Sequence, residues 1–397
     1  MSGIAGTRWP VREGVAAGVL VLLGQVLLQV VGRLSAGSVR YPGPWVPTIT
    51  GDSGVYLSAA ERLPELPAHH ATKVLYLLLL RIDAALGLAG WGVLAVQVGL
   101  LWAAAFVLIR YVSPRWGARA GLLSAAALTM NPNVAQWTKT IFTESVFIPM
   151  TVILTILLAG SIRHPEKRLG ALTIALASAF VRPNGIGSLL GTTAVLSASL
   201  RRARLAVFAV STAAIAAAVV LSPAFQSPGG QENTLAARTY EGLVIWVDPD
   251  FVRVDMPDPD DPTDLTNRAV VSYALQHPVA VLGLGGRRVL AELTQVRAHY
   301  PATVNAVIVV QMVGFYLLAA IGLGRSRNDP VTRSIVAVSA GLLLVIAGTW
   351  AIAEGRFGWA MLATWSPWIG IGLDTVWGWV RGVRSQRSWR QGPLMRS

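Results

Sequence analysis

Residues 304–323 form the run VNAVIVVQMVGFYLLAAIGL, which contains no charged side chain. A helix needs about 20 mainly apolar residues to cross the hydrocarbon core of a bilayer, and this run has that length. Comparable apolar runs occur at 14–31, 92–109 and 205–221. Because they recur along the whole chain, the sequence predicts an all-α, polytopic membrane protein.

The composition agrees with that fold class and excludes several functions. Hydrophobic residues make up 53% of the chain and charged residues 13%, against roughly 25% charged residues in soluble domains. The net charge is +13, but the basic residues form short clusters between apolar runs, a pattern typical of membrane topology and not of nucleic-acid binding. The chain has no cysteine, so disulfides, a thiolate nucleophile and cysteine-ligated zinc are excluded.

Segment 71–88 determines how the chain threads through the bilayer. It is apolar but contains Lys73, Arg81 and Asp83, and each charge at mid-bilayer costs about 2.5–3.5 kcal/mol on insertion scales. We therefore interpret it as an interfacial helix. The predicted spans, about ten, are then 14–34, 91–109, 120–136, 144–161, 169–182, 184–200, 205–223, 303–323, 334–352 and 358–378.

This topology places most of the 33 basic residues on one side. The same side receives few of the 20 acidic residues, namely Glu13, Glu166, Asp329 and Asp374. Positive charge marks the cytoplasmic side, so both termini are expected in the cytoplasm. The high alanine, glycine and arginine content indicates a GC-rich bacterial source, so the expected location is the plasma membrane of a bacterial cell. The first span has no cleavage pattern and is expected to be retained.

Three regions follow from this topology. Residues 1–223 form an N-terminal membrane module whose outer loop, 35–90, carries an acidic motif. Residues 224–302 form a second outer loop with an acidic stretch at 248–264 and two interfacial helices at 268–276 and 279–296. Residues 303–397 form the C-terminal membrane helices and a basic cytoplasmic tail.

The first outer loop holds the most distinctive candidate residue, Asp52, in the stretch TGDSGVY at 50–56. Asp52 precedes a short amphipathic helix that carries Tyr56, so it is either a helix cap or a catalytic or ligand-binding carboxylate. Further along, His69, His70 and Lys73 lie near the same interface, and His69 and Lys73 share a helical face. Harmless snorkelling of these polar side chains is the alternative.

Three more charged residues lie at predicted outer ends of spans. Glu144 opens the fourth span, where an acidic residue is stabilised by the helix dipole but is also a functional candidate. Arg182 joins the fifth and sixth spans and Arg356 the ninth and tenth. Both arginines are predicted to face the leaflet at phosphate level, where guanidinium binds phosphate in a bidentate manner, although an isolated interfacial arginine also snorkels.

The order of these features resembles the GT-C glycosyltransferases, membrane enzymes that use polyprenyl-phosphate sugars, and especially the protein-mannosyltransferase and aminoarabinose-transferase branch. The chain differs from the larger members in its lower span count and in having no sizeable C-terminal soluble domain. The motifs that carry the resemblance are Gly51-Asp52-Ser53 with Tyr56, the helix at 76–87, Asn131-Pro132 through Thr143-Glu144, Arg182-Pro183, His277-Pro278 and Glu354-Gly355-Arg356-Phe357.

The resemblance implies a function and roles for these residues. Asp52 would be the general base in an inverting transfer of a sugar, mannose or arabinose being the first candidates, to a hydroxyl of a glycan, lipid or protein on the outer face. Arg182 and Arg356, with Lys73, would bind the donor phosphate. Glu144 would orient the acceptor, assist the base or hold a divalent cation, although related enzymes do not generally depend on one and no metal ligand is assigned. Tyr56, His69 and His70 would line the acceptor or donor groove.

Two other functions are compatible with the same features. A transporter or flippase of a lipid-linked saccharide would also use outer arginines, but it should show repeats or broken helices near the midplane. A non-catalytic scaffold would bind a partner through the acidic stretch at 248–264, and it would leave Asp52 without a role.

Overall fold

The structure is a computed structural model, and it describes residues 11–36, 46–49, 51–63, 72–198, 235–246, 252–297, 300–349, 351–352 and 356–390. Helices make up most of this part of the chain. They are α1 (Val11–Ala36), α2 (Gly51–Glu61), α3 (Val74–Ala85), α4 (Trp91–Trp116), α5 (Ala118–Thr129), α6 (Pro132–Thr138), α7 (Thr143–Arg163), α8 (Arg168–Val181), α9 (Gly185–Ala198), α10 (Leu235–Tyr240), α11 (Asn267–Gln276), α12 (Pro278–Thr294), α13 (Ala302–Ser326), α14 (Pro330–Gly348), α15 (Arg356–Thr364) and α16 (Ser366–Arg390).

Five helices in the described part of the chain are long and apolar enough to cross a membrane. They support the prediction of a helical membrane protein. Helices α11 and α12 taken together also meet the test, as a pair bent by 108°. The five stretches are Val11–Val30, Trp91–Trp116, Thr143–Arg163, Ala302–Ser326 and Pro330–Gly348.

In the described part of the chain, the other predicted spans do not appear as single long helices, so the count of about ten is not confirmed. Segment 120–136 is divided into α5 and α6, because Asn131 caps a new helix that has Pro132 at its first position. Segment 358–378 is divided into α15 and α16. Segments 169–182 and 184–200 correspond to α8 and α9, each of 14 residues, and segment 205–223 lies outside the described residues.

Segment 71–88 contains the 12-residue helix α3. At 1.5 Å per residue this helix is about 18 Å long, well short of the roughly 30 Å hydrocarbon core. Its Asp83 carboxylate accepts hydrogen bonds from the backbone N–H groups of Gly90, at 2.6 Å, and Val93, at 3.1 Å. Asp83 therefore caps the start of α4. Its carboxylate is hydrogen-bonded in this role, which agrees with the prediction that segment 71–88 is not a span.

Small residues bring α9 and α14 into close contact, the arrangement that favours helix association within a membrane. A Cβ atom added at Gly187 would lie 2.5 Å from the carbonyl oxygen of Gly341. One turn further along α9, Gly191 faces Ala337 in the same manner. The two backbones therefore touch, and neither glycine position has room for a side chain.

A small three-stranded sheet, which the all-α prediction did not include, joins the second long connecting segment to the C-terminal region. Strand β1 (Leu243–Trp246) pairs antiparallel with β2 (Val252–Arg253) and parallel with β3 (Ala351–Ile352). Since β3 immediately precedes the residues leading to α15, the sheet fixes that part of the chain beside the 235–297 segment.

Candidate functional site

The connecting segment before α2 packs against the turn between α6 and α7. The backbone N–H of Thr48 donates to the carbonyl of Lys139 at 2.8 Å, and the N–H of Ile141 donates to the carbonyl of Thr48 at 3.0 Å. This short parallel pairing brings the start of the predicted first outer loop to the start of α7, which carries Glu144.

Asp52 lies in the first turn of α2, which begins at Gly51. Its side chain lies outside the described part of the structure, but its position is four residues before Tyr56 and therefore on the same helical face. The Tyr56 ring is buried and makes edge contacts with Tyr76, at 5.9 Å between centroids, and Phe142, at 6.0 Å. The backbone of α2 therefore places Asp52 one turn from a buried aromatic cluster.

Lys73 contacts the same tyrosine. Its Nζ atom lies 5.0 Å from the centroid of the Tyr56 ring, within the range of a cation–π interaction. His69 and His70 lie outside the described residues, so their predicted place in a groove is untested.

Glu144 and Arg182 form a buried ion pair. Arg182 Nη1 lies 2.5 Å from Glu144 Oε1, and the two side chains are 7% and 1% exposed. Thr143 Oγ1 donates to the other carboxylate oxygen at 2.9 Å. The Arg182 guanidinium and the Glu144 carboxylate are thus in direct contact within the protein interior.

This pairing corrects two interpretations of the sequence. Arg182 does not lie open on the surface at phosphate level, because its side chain is enclosed between α7, α8 and α15. Glu144, at 1% exposure, does not present its carboxylate to an acceptor. Each of the two charged groups is stabilised by the other, because a buried charge without a partner is strongly destabilising.

Arg182 also connects the ion pair to the start of α15. Its Cζ atom lies 4.5 Å from the centroid of the Phe357 ring, a stacking contact that guanidinium favours. Phe357 follows Arg356, the first residue of α15. The side chain of Arg356 lies outside the described part, but its backbone position is next to the residue that Arg182 contacts.

Tyr76 and Gln97 extend the group of polar residues toward α4. Gln97 Nε2 donates to Tyr76 Oη at 3.4 Å and to the carbonyl of Thr140 at 3.2 Å. Burial raises the pKa of Tyr76 well above its ordinary value, and the nearby Tyr56 and Glu144 raise it further. The phenol of Tyr76 therefore stays protonated. We call Tyr56, Lys73, Tyr76, Gln97, Glu144 and Arg182 the polar cluster.

Two buried charged residues near this region were missed in the sequence. Lys139 follows α6, is 3% exposed, and has its pKa lowered by burial. Glu292, on α12, is fully buried, and its Oε2 accepts a hydrogen bond from the backbone N–H of Gly358 at 2.8 Å. Glu292 therefore caps the first turn of α15, where a negative charge is stabilised by the helix dipole. The available signal in the sequence was a single carboxylate within the apolar stretch 289–293, close to the end of α12.

The described side chains do not assemble a metal site. No group of three or more His, Cys, Asp or Glu side chains lies together among them. Glu144, the predicted cation ligand, instead faces a guanidinium group. A divalent cation would have to compete with Arg182 for that carboxylate, so the residues present do not fit the group.

Comparison with known proteins gives no assignment. No family model, curated protein or solved structure matches the chain.

Proposed function

We propose that the protein is an inverting glycosyltransferase of the GT-C type, which transfers a sugar from a polyprenyl-phosphate donor to a hydroxyl of a glycan, lipid or protein. One observation supports this proposal most directly. The buried Glu144–Arg182 pair lies beside the first turn of α15, which begins at Arg356, and is linked through Tyr76 and Tyr56 to α2, which carries Asp52.

In this proposal Asp52 is the general base. Its carboxylate is the proton acceptor of the reaction. It accepts the proton of the acceptor hydroxyl as the acceptor oxygen bonds to the anomeric carbon of the sugar. The bond between that carbon and the phosphate oxygen breaks at the same time, its electron pair goes to the polyprenyl phosphate, and the anomeric configuration inverts.

The cationic groups stabilise the charge that develops on the leaving phosphate. Arg356 at the start of α15 and Lys73 beside Tyr56 are the proposed direct contacts. Arg182 supports them from the buried side, where its guanidinium contacts Phe357 in the first turn of α15. Glu144 is then a positioning residue that holds the Arg182 guanidinium against α15, and we no longer assign it direct contact with the acceptor.

The proposal includes a topology. About ten spans, with the basic clusters in the cytoplasm of a bacterial cell and both termini on that side, place the polar cluster at the outer face of the plasma membrane. Donor lipid and acceptor then meet at that face. No nucleic acid and no dissociable cofactor takes part.

The test is transfer of radiolabelled sugar from polyprenyl-phosphate mannose or polyprenyl-phosphate arabinose by membranes that contain the protein. We expect Asp52→Asn to bind the donor but lose transfer. Asp258→Asn, which alters an exposed carboxylate away from the polar cluster, is the control and should keep it. Equal transfer by Asp52→Asn would refute the base, and no transfer by the wild type with either donor would refute the activity proposed for those donors.

The phosphate contact has its own test. Arg356→Ala should raise the donor KM, and Arg356→Lys should recover part of the loss because it restores the charge without the planar fork. Unchanged donor KM in Arg356→Ala would remove that residue from the site.

A further inference from the structure

The chain reverses direction sharply between α11 and α12. Helix α11 ends at Gln276, His277 follows, and α12 has Pro278 at its first position. Proline cannot continue the hydrogen bonding of a preceding helix and restricts the residue before it. The two helix axes consequently differ by 108°. We call α11, His277 and α12 the elbow.

The outward face of the elbow is apolar. On α12, Val279, Leu282 and Leu290 are 83%, 75% and 60% exposed, and on α11 Leu275 is 78% exposed. Gly283 and Gly286 lie on the same face of α12. This face surrounds the bend and packs against nothing in the described part of the chain.

The inward face of α12 carries two of the three charged residues of this helix. Arg288 is 2% exposed, and its Nε donates to the carbonyl of Leu243 at 2.8 Å. Glu292 caps α15 from the same face. A helix in water has its apolar side inward and its charged side outward. Here the arrangement is reversed, which is expected where the surrounding solvent is hydrocarbon.

A helix of membrane-spanning length in the same protein has the same kind of surface. On α13, Val307, Val310 and Leu317 are 67%, 73% and 60% exposed, values comparable with those of the elbow. The elbow sequence also meets the length and hydropathy test for a span when its two helices are taken together. The occupant that fits this face is therefore lipid.

The side of α11 that faces away from Leu275 contacts the acidic segment of the second connecting loop. Tyr273 Oη donates to the carbonyl of Pro257 at 2.7 Å, and Gln276 Nε2 donates to Asp260 at 2.8 Å. The acidic segment that contains Asp260 thus lies on one side of α11, while Leu275 lies on the other. An acidic segment is most stable in water, so this side of α11 faces the aqueous phase and the Leu275 side faces lipid.

Two exposed arginines limit how deeply the elbow can insert. Arg268 lies seven residues before Leu275 and Arg287 lies eight residues after Val279, and both are exposed. At 1.5 Å per residue these separations are about 10 Å and 12 Å along the helices. Both arginines are therefore at a similar distance from the bend, where they can contact lipid headgroups while the bend reaches the acyl chains.

We propose that the elbow is a re-entrant lipid-binding element. It enters one leaflet to a depth of about 10 Å, and both of its arms return to the same membrane surface. This inference does not depend on the proposed glycosyl transfer, because it follows from the shape and surface of the elbow alone.

The absence of cysteine from the chain allows a direct test with single nitroxide labels on the full protein in lipid nanodiscs. We expect Leu282→Cys to collide with oxygen, which partitions into lipid, and to be protected from a water-soluble nickel chelate. Val310→Cys on α13 is the lipid control and Asp258→Cys the aqueous control. Leu275→Cys, equally exposed, replaces Leu282→Cys if that variant does not fold.

The outcomes separate lipid from the other possible occupants. A profile like that of Asp258→Cys would overturn the proposal, and so would protection from both reagents, which would indicate that a second copy or another protein covers the face. A membrane-impermeant maleimide should label Arg268→Cys and Arg287→Cys from the same side of sealed vesicles. Labelling from opposite sides would show that the pair spans the membrane and would overturn re-entry.

Discussion

Breaking the Glu144–Arg182 ion pair should destabilise the protein more than the loss of any exposed ion pair. In Arg182→Met the Glu144 carboxylate, 1% exposed, remains buried without its cationic partner. Removal of one member of a buried pair costs about 3–5 kcal/mol, because the other charge stays desolvated. We therefore expect a loss of that size in the free energy of unfolding.

The structure offers a matched control in the pair of Arg119 with Asp374. These side chains are 45% and 25% exposed, and exposed pairs contribute about 0–1 kcal/mol. Arg119→Met should therefore have a small effect. The two variants make the same substitution, so the side-chain volume changes equally. The difference in stability therefore reports mainly the burial of the partner carboxylate.

The assay is equilibrium unfolding in mixed micelles by titration with sodium dodecyl sulfate, followed by circular dichroism. The double variant Glu144→Gln with Arg182→Met should be more stable than Arg182→Met alone, because the uncompensated charge is gone. If Arg182→Met lost no more stability than Arg119→Met, or if the double variant recovered nothing, the buried pair would be refuted.

Three further predictions concern residues outside that pair. Asp83→Ala should lower the free energy of unfolding by about 1–2 kcal/mol, because α4 loses the carboxylate that accepts a hydrogen bond from the N–H of Gly90. Asp83→Asn should lower it less, and the same micelle titration measures both variants. Glu292→Leu should lower the free energy of unfolding by about 1–3 kcal/mol, because the buried N–H of Gly358 loses its acceptor. Glu292→Gln keeps an acceptor, so its stability should lie closer to that of the wild type. Equal stabilities of the two variants would contradict the capping role. Burial, and then nearby carboxylates, raise the pKa of Tyr240 above its ordinary value of 10.0, so its contribution to stability is present below pH 10 and decreases as the pH rises through the folded pKa. The difference in absorbance at 295 nm between the wild type and Tyr240→Phe should therefore titrate above that value, and a midpoint at or below it would contradict the shift.

The hydropathy of the sequence predicted the position of most helices but missed two points where one helix ends and the next begins. Asn131-Pro132 and the Ser366-Pro367 step both interrupt segments that were predicted as continuous spans. Each break has a local signal, a capping residue followed by proline, but a window long enough to detect a span also contains the residues on either side of it. The start of α7 at Thr143, where the apolar run begins abruptly, was predicted correctly.

The partners of the charged side chains could not be predicted from the sequence. Nothing local indicates that Glu144 faces Arg182, because these residues lie on α7 and after α8 and meet only when those helices pack. An arginine at a helix end is equally consistent with surface snorkelling, so the sequence could not predict that the Arg182 side chain is buried. The placement of Asp52 at the start of a short helix was predictable, since Tyr56 and Ala60 share one face of α2.

The two faces of α12 show why periodicity alone is insufficient. The pattern separates Val279, Leu282 and Leu290 from Arg288 and Glu292, but it does not say which set faces the protein. That choice depends on whether the surrounding medium is water or lipid. In water the apolar set would be buried, and Glu292 would have been interpreted as an ordinary exposed carboxylate.

Glu292 joins the elbow to the proposed site. It lies on the inward face of α12 and holds the backbone of Gly358, while Phe357, one residue earlier, contacts Arg182. A shift of α12 along the membrane normal would therefore act directly on the first turn of α15. With the elbow in lipid as proposed, a change in its depth in the leaflet would move Arg356, the proposed phosphate contact, at the start of α15. This coupling would act through the carboxylate of Glu292. A variant that lacks this carboxylate but keeps the elbow in lipid would therefore separate the insertion of the elbow from the position of Arg356.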